Sequence, residues 1–97
     1  MATYIVLSKY TQQGAARIKE SPDRIEAARK MGQSKKVKLK EWFLVMGQYD
    51  VVTIWDAPND EALAKVLLNI GSLGNVTTET LRAFTEDEFR KLVDDLS

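Results

Sequence analysis

Hydrophobic and polar residues alternate along four stretches of this chain and recur at helical spacing along three others. Residues 3–10 are rich in β-branched and aromatic side chains, contain no Gly or Pro, and read as a first strand. Residues 37–46 and 51–57 read as a second and a third, joined across Gly47-Gln48-Tyr49-Asp50, where Gly47 can take a positive φ. The threonine-rich residues 75–84 read as the last strand. Thr11 is placed to cap a helix, and Ser21-Pro22-Asp23 gives a second start signal with Ser21 as cap and Pro22 at the first position, so the first helical region is expected to break there. Ile25, Ala28 and Met31 form its apolar stripe and Gly32 its expected terminator. Asn59 caps a second helix in which Leu63, Val66, Leu67, Ile70 and Leu73 share a face, and Gly71 and Gly74 bring it to an end. Thr85-Glu86-Asp87-Glu88 spells a capping box, followed by a short helix with Phe89, Leu92, Val93 and Leu96 on one side.

The order strand, helix, hairpin, helix, strand, helix predicts an α+β fold, a ferredoxin-like βαββαβ sandwich with a C-terminal helix, as a single domain over residues 1–97. In the usual arrangement of this topology the strands run fourth, first, third, second, which puts the second strand at an edge. Alternate positions divide the sheet into two sets. Ile5, Leu7, Val37, Leu39, Phe43, Val45, Val52, Ile54, Leu81 and Ala83 are almost purely apolar and are expected to lie beneath the helices. The opposite set mixes Tyr4, Val6, Ser8, Trp42, Leu44, Thr53, Trp55, Thr80, Arg82 and Phe84, too apolar a surface for water, and is expected to pair with a second copy of the chain. Trp42, Trp55, Arg82 and Phe84 are the residues this reading places at the dimer interface.

Composition narrows the chemistry. The chain has no Cys and no His, which removes disulfides, thiol catalysis and zinc enzymes, along with the commonest general base. No metal site and no cofactor are expected. A formal net charge of +0 offers no broad field to nucleic acid or to an anionic membrane, and the run Arg29, Lys30, Lys35, Lys36, Lys38 and Lys40 lacks an aromatic stacking platform. No stretch is apolar enough to span a membrane or serve as a signal peptide, so cytoplasmic residence is the default expectation.

A few residues remain as candidates for a site. Glu41 is the one ionisable residue within the apolar set. Enclosed beneath the helices it would act as a base or pair with Arg17; on an edge strand, or turned out by a bulge, it would reach solvent. Tyr49 can meet a ligand or close a dimer seam, and Asp50 can bind a ligand or bond backbone amides at the turn, with Gly47 serving the turn itself. Glu41, Tyr49, Asp50 and Arg17 are thus the expected ligand-binding set.

The segments Met46-Gly47-Gln48-Tyr49-Asp50-Val51-Val52, Thr11-Gln12-Gln13-Gly14 after Tyr4-Ile5-Val6-Leu7, and the run from Gly71-Ser72-Leu73-Gly74-Asn75 to Phe84 resemble those of the GYD-domain family, over nearly the whole chain. The resemblance implies a dimeric α/β barrel, an architecture shared with cofactor-free monooxygenases, muconolactone isomerases and the ligand-sensing domains of Lrp-type regulators. It implies no settled activity. The expected function is a homo-oligomeric domain binding a small, partly apolar molecule. The alternatives are a cofactor-independent isomerase or monooxygenase, and a structural assembly subunit.

Overall fold

The computed structural model describes residues 1–96. Strands β1 (Ala2–Tyr10), β2 (Lys38–Leu44), β3 (Val51–Ala57) and β4 (Val76–Ala83) form one antiparallel sheet in the order β2-β3-β1-β4. This is the expected ferredoxin-like order, with β2 at an edge. The first helical region is broken into α1 (Gln12–Ala16), a 3-10 turn (Ile18–Glu20) and α2 (Ser21–Gln33). Then come α3 (Asp60–Ser72) and α4 (Glu86–Asp94), the latter opened by the expected capping box between Thr85 and Glu88. Ser21 is already helical and does not cap α2, which starts from Glu20 with no side-chain cap. Gly32 does not end α2 by a positive φ either; Lys36, three residues past the helix, takes that conformation at φ 59°. No helix among the described residues is long and apolar enough to cross a membrane.

The two faces of the sheet are exchanged relative to the sequence expectation. Tyr4, Val6, Leu39, Trp55 and Ala57 lie beneath α2 and α3, where with Val37, Leu63 and Val66 they make the buried core. Trp55 is only 3% exposed, so it is a core residue and not a dimer contact, and Trp42 packs against the same cluster. Ile5, Leu7, Phe43, Val52, Ile54 and Leu81 occupy the side away from the helices. The polar tips of the large core residues explain why this side suits them. The Trp55 indole N–H donates to Thr53 Oγ1 at 2.8 Å, and the Tyr4 hydroxyl donates to Asp60 in the first turn of α3.

A β-bulge between Leu39 and Glu41 completes the rearrangement. It inserts one residue into the edge strand, so Leu39 and Trp42 both face the helices while Glu41 and Phe43 turn to the other side. Val37 and Leu39 therefore part company with Phe43 and Val45, with which simple alternation grouped them.

Three connecting segments converge where β1 ends. The Tyr10 amide donates to the Asp50 carboxylate at 2.9 Å, and the Asp50 amide donates to Ser8 O at 2.9 Å. One residue on, the Thr11 amide donates to Asn75 O at 3.0 Å, while Thr11 Oγ1 donates to Gly74 O at 2.6 Å and accepts from the Gly14 amide. Gln13 adds bonds to Leu73 O and to the Asn75 side chain. Gly14 lies so close to this turn that a Cβ there would stand 2.0 Å from Asn75 O. Gly14→Ala should consequently destabilise the protein by about 2–3 kcal/mol, seen as a lower urea midpoint. Gly71→Ala, with nothing within 4 Å of the added atom, should be neutral or stabilise by up to about 1 kcal/mol.

Candidate functional site

Helices α2 and α3 do not close fully on the sheet, and a cavity of ≈ 120 Å³ lies between them. By volume it holds several waters or one ring-sized organic group. Its body is apolar: Val6, Leu39, Trp42, Val51 and Trp55 on the sheet, with Ile25, Ala28, Met31, Leu67 and Ile70 on the helices. Polar side chains gather toward the end where β1 finishes and α2 begins. Ser8 and Thr78 are register partners there, and the Tyr10 hydroxyl lies 3.1 Å from Ser21 Oγ. Ser21, freed from capping α2, thus serves this wall. Arg24, one turn into α2, lines the same end. Its Nη1 donates to Arg17 O at 3.1 Å and its Nη2 to Gly14 O at 3.4 Å.

None of the four residues expected to bind a ligand lines this cavity. Glu41 is exposed on the face away from the helices, turned out by the bulge on the edge strand, so it is no enclosed base. Arg17 is exposed and pairs with Glu20 at 2.9 Å instead of Glu41. Asp50 bonds the Tyr10 amide, the structural role open to it at the hairpin, and Gly47 takes the positive φ of 142°. Tyr49 reaches over the end of the sheet, donating to Glu79 Oε1 at 2.7 Å with the Lys9 ammonium 5.4 Å above its ring. Arg82 stacks 4.4 Å from the exposed Phe84 ring and 5.6 Å from the Tyr4 ring on the helix side of β4. Tyr10, Ser21, Arg24 and Thr53 line the cavity and are not in the expected ligand-binding set. Alternation puts Ser8 and Tyr10 on one face with Val6, but it does not say that the helices cover that face.

The family model described as GYD domain matches residues 4–93 of the chain. The glutamine synthetase and cystathionine beta-lyase binding protein of Thermus thermophilus is 34% identical over 84 residues, covering 86% of this chain and 88% of that protein. Among solved structures, TTHA0845, also from Thermus thermophilus, superposes with a TM-score of 0.56 at 29% identity, covering 88% of this chain and 95% of that one. FFRP-DM1 superposes with a TM-score of 0.61 at 19% identity, over 87% of this chain and 100% of that one, a likeness of fold alone.

Two tyrosines outside the cavity carry shifted acidities. The hydrogen bond to Asp60 raises the pKa of Tyr4, reinforced by burial, and the hydrogen bond to Glu79 raises that of Tyr49. Both hold their protons more tightly folded than unfolded, so their contribution to stability is present below pH ~10 and is lost as pH rises through the raised values. Ultraviolet titration should show both ionising above the ordinary phenol range, and Glu79→Gln should return one of them toward it.

Proposed function

The chain belongs to the GYD-domain family, and from that premise we propose that it is a homo-oligomeric domain that holds a small, partly apolar molecule beneath its helices. The observation that carries this reading is the cavity itself: an apolar body with hydroxyls at one end, in a layer that close packing would otherwise fill. Among the described residues the lining supplies hydroxyls, the Asn75 side chain and one guanidinium but no carboxylate, and Glu41 stands on the opposite face. That arrangement suits holding a molecule better than moving its protons, which favours binding over the isomerase or oxygenase alternative.

Self-association is supported by the uncovered face. The chain exposes 6780 Å², against about 5,600 Å² expected for a compact monomer of 11.0 kDa. The excess of about 1,200 Å², shared between the open sheet face and the exposed α4, is larger than the ~800 Å² that each partner buries in a typical stable interface. Phe43 and Leu81 on the open sheet face are 49% and 42% exposed, beside Ile5, Leu7, Val52 and Ile54. Two such faces packed together would give the dimeric barrel, with Phe43 at the contact in place of Trp55.

A second reading, docking to other proteins, is favoured by α4. Phe89, Leu92, Val93 and Leu96 are all exposed, and among the described residues the helix makes no extensive contact with another element. The relative named for binding glutamine synthetase and cystathionine beta-lyase makes those enzymes the first partners to test. Leu92→Glu should abolish any such binding while leaving the oligomer unchanged.

Light scattering should find a dimer or larger assembly, and Phe43→Glu should convert it to monomer at micromolar concentration by placing a charge in a desolvated contact. A compact wild-type monomer would remove self-association from the proposal. Fluorobenzene should show a broadened fluorine resonance on addition of the protein, and Ala28→Phe, filling the cavity from α2, should restore the sharp line without loss of helical circular dichroism. An unbroadened line with the wild type would count against the cavity as a binding site.

A further inference from the structure

The cavity is graded along the sheet. Its inner rows are Leu39 with Trp55, then Trp42 with Thr53 and Val6, and its outer row is Val51 with Ser8 and Thr78. Past that row stand Tyr10, Ser21 and Arg24. Arg24 is the one ionised side chain in the whole lining; no Asp or Glu contributes to it. Both groups that accept from its guanidinium are neutral backbone carbonyls, and Arg24 is in none of the ion pairs among the described residues. Of the acids near it in sequence, Glu20 is engaged by Arg17 and Glu26 by Arg29, and the exposed Asp23 makes no ion pair with it. The charge of Arg24 therefore stands unneutralised at the polar end of an apolar chamber, with further N–H donors of the same planar fork still to be used. The start of α2, at that end too, adds the positive end of its dipole.

We infer that the cavity takes a small organic monocarboxylate with an aromatic or branched aliphatic body. The carboxylate sits at Arg24 beside the Tyr10 and Ser21 hydroxyls, and the body lies between Trp42, Leu39, Met31 and Ile70. An amine would meet a like charge with no acid to offset it. A polyhydroxylated ligand would leave most of its hydroxyls against an apolar wall. A phosphate ester would bring more negative charge than a single guanidinium matches. The inference rests on the reading of the cavity as a binding site, and it goes further by fixing the charge of the occupant.

Both tryptophans of the chain line the cavity, so intrinsic fluorescence reports occupancy directly. Phenylacetate and 3-methylbutanoate, each alongside its uncharged amide, and phenethylamine would be titrated against the full chain by this signal and by calorimetry. At least one acid should bind about tenfold or more tighter than its amide, and phenethylamine most weakly. Arg24→Gln should bring acid and amide to equal affinity without weakening the amide, and Arg24→Lys should keep part of the preference. Equal affinities of acids and amides for the wild type, or a preference that survives Arg24→Gln, overturn the anion assignment while leaving the cavity as a binding site. Failure of every compound, amides included, removes both.

Discussion

The end of β1 obliges two successive backbone amides to find partners outside the regular ladder, and the way they do so organises the rest of the molecule. An unsatisfied buried amide costs about 1–3 kcal/mol, so Tyr10 and Thr11 cannot leave the sheet without acceptors in place. Asp50 supplies one from the β2–β3 hairpin and Asn75 the other from the turn after α3. Through these bonds the hairpin, the α1 turn and the start of β4 are fixed relative to one another. The same point is the polar end of the cavity, since Tyr10 carries its hydroxyl to Ser21 one residue before Thr11 turns the chain. A structural junction and the mouth of a chamber are thus built from the same few residues.

The order of elements, the sheet topology and the caps of α1, α3 and α4 were all legible, because each depends on neighbours within a few residues. Thr11, Asn59 and Thr85 each accept from a backbone amide three residues on. Which face of the sheet meets the helices was not legible. Alternation divides a strand into two sets of side chains, and here both sets are apolar, so hydrophobicity does not say which one the helices cover. The aliphatic set looked like a core and the aromatic set like an interface. In the fold, the larger residues Tyr4, Trp42 and Trp55 fill the deep space under the helices, their polar atoms bonded within the chain where they are buried, and the flatter aliphatic set, apart from Val37 and Leu39, stays outside. One inserted residue at the bulge then broke the alternation within β2, where a strand count of every second residue gives no warning.

The expected ligand-binding set and the cavity lining share no residue, for a related reason. Glu41 drew attention as a charge among apolar residues, but that group of residues is the outer face, where an edge carboxylate costs little. Asp50, placed in the ligand-binding set, accepts from the Tyr10 amide, the other role open to it at the turn. Arg24 gave no signal in the sequence, being one of several charged residues on a helix of mixed polarity. It stands out only because α2 and the sheet leave a cavity at that end, a fact of tertiary placement, while the local Arg17–Glu20 pair leaves it without an acidic partner.

The segments quoted for the family likeness include those of the junction, Thr11 to Gly14, the Gly47-to-Asp50 hairpin and Gly71 to Asn75, within a family match over residues 4–93. Much of the cavity wall comes from elsewhere, with Ser21, Arg24, Ile25, Ala28 and Met31 on α2 and Leu39 and Trp42 on β2. Likeness in the first group transmits a scaffold: a closed β1 terminus, a hairpin held to it, and two helices propped above the sheet. It says little about what the second group encloses, because substitutions there change the chamber without touching the bonds that hold its frame. Membership of the family therefore specifies how this chain folds far more tightly than what it binds. The proposed occupant rests on the lining of this particular chamber, where one guanidinium without an acidic partner, among hydroxyls and apolar side chains, is the most specific feature.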